Sequence, residues 1–61
     1  MLFIVSYRAR GLSTGWINQE AAVAAESAEA AKAKFEGIMA RTYASGSWFV
    51  DWAIVSAHRV N

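Results

Sequence analysis

Few groups in this 61-residue chain could carry chemistry. There is one histidine, His58, there are five carboxylates (Glu20, Glu26, Glu29, Glu36 and Asp51), and there is no cysteine. A hydrolytic triad would need His58 beside a serine nucleophile and an acid. The serines fall instead in stretches that read as caps and loops, and none sits in a nucleophile-elbow pattern. The carboxylates show no paired spacing, and a glycosidase-type pair also needs a cleft that so short a chain hardly provides. A single histidine with scattered acids is no metal-ligand set. The glycine-bracketed "GLSTG" (11–15) lacks the lysine and the following helix of a phosphate-binding loop, so it reads as a hairpin turn. His58 reads as a solvated strand-end residue. The expectation is a protein that is not an enzyme and holds no metal or cofactor.

Binding chemistry is better represented. Trp16 and Phe49, with Arg8, Arg10 and Arg59, are the residue types that stack bases and neutralise phosphates on an open sheet. The overall balance weakens that reading. Six Lys and Arg against five Asp and Glu leave a net charge of +1, and Glu20 and Asp51 fall close to the arginines. Nucleic acid is therefore an alternative partner, and protein is the expected one.

The elements that must position these residues are readable from pattern. "LFIVSYRAR" (2–10) is rich in β-branched and aromatic residues and predicts a strand. Residues 16–25 are ambiguous, because Trp16 and Ile17 favour strand while the alanines favour helix. "SAEAAKAKFEGIMARTY" (27–43) predicts a helix with Ser27 as N-cap, Glu29 at the positive end of its dipole and Arg41 at the negative end. Ala28, Ala31, Phe35, Ile38, Met39 and Thr42 fall on one face of it; Glu29, Lys32 and Glu36 fall opposite. Gly37 weakens its interior by about 1 kcal/mol relative to Ala. "ASGS" (44–47) ends it, and "WFVDWAIVSAHRV" (48–60) predicts a last strand.

The favoured fold class is α+β: a ββαβ chain with a three-stranded antiparallel sheet in the order 2-1-3 and the helix on one face. The rival fuses residues 19–43 into one helix and gives βαβ. Three strands under a helix are preferred because two strands alone make a poor sheet. A right-handed crossover from strand 2 to strand 3 then places strand 1 between them.

Alternation along each strand assigns faces. Pairing residue 10 with residue 16 puts Phe3, Val5, Tyr7, Ile17, Ala21 and Val23 toward the helix, joined by Val50, Trp52 and Ile54. The opposite face collects Leu2, Ile4, Ser6, Arg8, Arg10, Trp16, Asn18, Glu20, Phe49, Asp51, Ala53, Val55, Ala57 and Arg59, with Arg8 near Asp51 and Glu20, and Arg10 near Trp16. The stretch "WFVDWAIV" (48–55) is apolar at every position but Asp51, so both faces of the last strand want cover. An apolar patch rimmed by charge marks an interaction site. The expected partner contacts are Leu2, Ile4, Arg8, Arg10, Trp16, Phe49, Asp51, Val55 and Arg59.

At 56% hydrophobic and 18% charged the composition is that of a folded chain. It predicts one domain, residues 1–61, burying only about 60% of its unfolded surface. With no cysteine, neither a disulfide nor a zinc–thiolate site can add stability, so homodimerisation is expected. The apolar run in "MLFIVSYRAR" precedes its basic residues and is short for a signal peptide, and no stretch nears the roughly 20 apolar residues of a membrane span. A soluble, cytoplasmic protein with no membrane partner is expected.

The joint "AVAAESAEAAKAKFE" (22–36), a strand running into a Ser-capped alanine-rich helix, resembles joints in many small ββαβ proteins. A chain of this size and pattern looks like the accessory proteins of bacteriophages and other bacterial mobile elements. That resemblance covers about half the chain. It implies a binder that masks a surface of a host complex, such as a defence system, and it assigns no functional residue.

Overall fold

A computed structural model describes residues 1–60. Its elements run β1 (Leu2–Gly11), β2 (Trp16–Ala24), α1 (Ala28–Ala44) and β3 (Phe49–Arg59). Both outer strands are antiparallel to β1 and the sheet order is β2-β1-β3, so α1 is the crossover between two strands that run in the same direction. The ββαβ expectation holds and the long-helix rival is overturned. Residues 16–24 pair with β1 along their whole length, from Arg10↔Trp16 to Leu2↔Ala24. Burial of Val23 and partial burial of Ala21 on the helix side outweigh the alanines' helix propensity.

Ser27 marks where strand chemistry gives way to helix. Its backbone is extended (φ −153, ψ 165) and its hydroxyl accepts from the Ala30 N–H at 3.1 Å, satisfying a first-turn donor that has no partner within the helix. At the other end the Ser45 N–H donates to the Arg41 carbonyl and the Gly46 N–H to the Tyr43 carbonyl, both at 3.1 Å. Gly46 has φ +91, a left-handed conformation that an L side chain would resist. Gly11 serves close approach instead. A Cβ there would lie 2.8 Å from Thr14 Oγ1 and 3.1 Å from the Trp48 carbonyl oxygen.

The core lies between α1 and one face of the sheet. The helix contributes Ala31, Phe35 and Met39; the sheet contributes Phe3, Val5, Ala9, Val23 and Phe49. Phe35 packs against Tyr7 with ring centroids 4.6 Å apart and the rings tilted by 47°, and the Tyr7 hydroxyl donates to Gln19 Oε1 at 2.8 Å across the β1–β2 pair. The buried stripe is narrower than its spacing suggested. Ile38 is 39% exposed, and exposed Thr42 turns its hydroxyl back to donate to the Ile38 carbonyl at 2.8 Å. A second apolar knot joins the end of α1 to the start of β3. There Phe49 packs edge-on against Trp48 and Trp52, at 5.8 and 5.6 Å, and Tyr43 lies 5.9 Å from Trp52.

The β1–β3 pairing has two register shifts, and both change faces assigned by alternation. Ser6 pairs with Ser56 but Tyr7 with Ile54, leaving Val55 extra; Arg10 pairs with Asp51 but Gly11 with Phe49, leaving Val50 extra. Each extra residue reverses the parity of everything beyond it. Phe49 therefore belongs to the core rather than to the open face, and is only 4% exposed. Val50 drops out of the pairing instead of joining the helix side. Ala57 packs on the core opposite Val5, and Arg59 stands opposite Phe3, on the helix side of the sheet. Asp51 lies across from Arg10, not Arg8.

Candidate functional site: the open sheet face

With α1 on one side, no element among the described residues lies over the other face of the sheet. From β1 it presents Leu2, Ile4, Ser6, Arg8 and Arg10. Across from these stand Ala24, Ala22, Glu20, Asn18 and Trp16 of β2, and His58, Ser56, Ala53 and Asp51 of β3. Val60 continues the register, its N–H donating to the Leu2 carbonyl at 2.9 Å. Val55, bulged out of the pairing, reaches this face as well. It lines a shallow concavity of about 560 Å³ with Ser6, Arg8, Asn18 and Glu20.

The face has two halves. The half near the chain termini is mostly apolar: Leu2, Ile4, Ala22, Ala24 and Val60, with exposed His58 across from Ile4 and Val55, 62% exposed, at its inner limit. The half near the hairpin is charged around one indole. The guanidinium carbons of Arg8 and Arg10 lie 5.1 and 5.8 Å from the Trp16 ring centroid. Contacts of this kind contribute about 0.5–1 kcal/mol at exposed sites. Among the described residues neither arginine has a carboxylate at ion-pair distance. Glu20 is one pair further along β2, and the Asp51 carboxylate is turned to the backbone, accepting from the Trp52 N–H at 2.9 Å.

That bond belongs to a wider pattern at the sheet edges. The Ala25 N–H donates to the Met1 carbonyl, so odd-numbered residues of β1 bond toward β2 and even-numbered ones toward β3. Arg8 and Arg10 bond to Ala53 and Asp51, which leaves the Trp52 N–H pointing out from the free edge of β3, where Asp51 occupies it. By the same alternation the Ala24 carbonyl points out from the free edge of β2, and there it accepts from Lys34 Nζ at 2.6 Å. A side chain thus takes up an outward backbone group on each edge.

Of the nine expected partner contacts, the structure brings seven together: Leu2, Ile4, Arg8, Arg10, Trp16, Asp51 and Val55. Phe49 and Arg59 leave the set for the reasons above. Alternation alone missed His58 and Ser56, which the register shifts turn to this face. Neither extra residue is a glycine or proline, although Gly11 stands on β1 at the second shift. Among the described residues no three His, Cys, Asp or Glu gather as a metal site, and no helix is long and apolar enough to cross a membrane.

No protein-family model, curated protein sequence or solved structure matches the chain.

Proposed function

We propose that the protein is a small protein-binding module and that the open sheet face is its binding surface. The observation that carries this reading is the mostly apolar half of a face that no described element covers, Leu2, Ile4, Val55 and Val60 beside small alanines and His58. Apolar patches rimmed by polar groups are the usual form of an interaction surface. Single-stranded nucleic acid is the poorer fit. With Phe49 in the core and Arg59 across from Phe3, the stacking platform shrinks to Trp16, Arg8 and Arg10. A mobile-element accessory protein that masks a host complex is the biological setting in keeping with this reading.

A photo-crosslinking amino acid tests it directly. Placed at Val55, it is expected to give protein–protein adducts in whole cells. Placed at Glu36, on the exposed side of α1, it should give few. Equal yields at the two positions, or none at Val55, would sink the assignment.

A further inference from the structure

We infer that the hairpin end of the molecule is a docking tip for an anionic lipid surface, with Leu12 entering the interface and Trp16 and Trp48 lying at headgroup depth. This goes beyond the protein-binding reading, because it rests on the end of the sheet rather than on the expanse of its open face.

The tip is an ordered wedge. Leu12 sits at the turn between β1 and β2, is 90% exposed and has no part in the core. The turn is tied down by the Gly11 N–H, which donates to Thr14 Oγ1 at 3.0 Å. Two indoles flank it on opposite sides. Trp16, 42% exposed, lies on the open side of the sheet, beside the guanidinium groups of Arg8 and Arg10. Trp48, 50% exposed, lies on the helix side. Its ring comes within 3.2 Å of the position a Gly11 Cβ would take, and it packs edge-on to buried Phe49.

Shape and charge select the occupant. The apolar groups project from both sides of the sheet and from its end. A flat protein surface covers one side of such a wedge, whereas a fluid interface takes all three groups at once. Their order along the molecule also fits a bilayer. An aliphatic apex comes first, then two indoles, then two guanidinium groups. An interface offers acyl chains, then the layer where tryptophan concentrates, then anionic headgroups. The carboxylates are graded the other way. Asp51, across from Arg10, is the one at this end; Glu20 stands back across from Ser6, Glu36 lies within α1, and Glu26 and Glu29 are at the opposite end. Each arginine brought near an anionic leaflet strengthens binding. Docking of this kind needs no spanning segment, so the expectation of no membrane partner, which rested on the lack of one, does not reach it.

Co-sedimentation of the whole chain with vesicles tests this, with circular dichroism confirming that each variant folds. At low salt the protein is expected to pellet with mixed phosphatidylglycerol and phosphatidylcholine vesicles, and about fivefold less with phosphatidylcholine alone. Leu12→Glu should cut binding to the mixed vesicles about tenfold. Arg8→Gln together with Arg10→Gln should cut it about threefold or more and flatten its salt dependence. Ala30→Glu adds the same charge on the exposed surface of α1 at the other end, and should change binding by less than about twofold. Lipids brominated on the acyl chain should quench the tryptophan fluorescence, and Trp16→Phe and Trp48→Phe should each remove part of that quenching. Failure to pellet with the anionic vesicles overturns the docking. Binding indifferent to Leu12→Glu, or reduced as much by Ala30→Glu, overturns the tip. Equal binding to both vesicle types overturns the choice of an anionic surface. Crosslinking at Val55 is read separately in cells, so the failure of either proposal leaves the other standing.

Discussion

Replacing Phe49 by alanine is expected to unfold much of the protein at room temperature, not merely to weaken its association. Phe49 is 4% exposed, and its ring is held by Trp48, Trp52 and Tyr43, with centroids 5.6 to 6.3 Å away. Truncating a buried Phe costs about 3–5 kcal/mol. A chain of this length holds roughly 3–9 kcal/mol in total, at about 0.05–0.15 kcal/mol per residue. Urea titration followed by circular dichroism measures the loss. A variant with unchanged stability but weaker self-association would return Phe49 to the partner surface, where alternation along β3 had placed it.

Phe35→Ala should cost a similar amount through a different failure. Phe35 is the largest side chain that α1 commits to the core, between Ala31 and Met39, and it closes the contact with Tyr7. Without it the helix meets the sheet through alanines and one methionine. A loss of about 3–5 kcal/mol corresponds to a fall in melting temperature of at least about 12 °C in a domain this small. Phe35→Leu should recover much of the loss, because leucine restores most of the apolar volume that alanine removes. If the alanine variant melted within a few degrees of the parent, α1 would not be the element that seals the core.

The two phenylalanines also show what the sequence discloses. Phe35 was readable, because helical spacing is a local property and Ser27 fixes where counting begins. The hairpin was readable too. Setting Arg10 against Trp16 fixes every pair of β1 with β2, and no irregularity intervenes. Phe49 was not readable. Its face depends on one extra residue, Val50, as the faces of Ala57 and Arg59 depend on Val55, and valine suits any strand position. The register shifts arise where β3 meets a neighbour some forty residues away, and Gly11, which lets Trp48 approach, reveals its role only once the pair is formed. Val55 reached its expected face even so, because it is itself the bulged residue. Ile38 and Thr42 were misplaced for a simpler reason. Helical spacing gives the direction of an apolar stripe, whereas its width depends on how much sheet lies beneath.

The position of β1 between its neighbours also sets a timetable. Its pairing with β2 closes a turn of four residues, 12–15, whereas its pairing with β3 joins Phe3 to Arg59 across nearly the whole chain. Loop-closure entropy makes the second event the slower one, and contact order of this kind lengthens folding. Pulsed hydrogen exchange should find the β3 amides protected last; simultaneous protection of all three strands would contradict this. Until β3 arrives, β1 carries a bare row of amides and carbonyls along the edge that β3 will pair. The hazard of wrong pairing therefore belongs to the nascent chain, at the strand that ends up best sheltered.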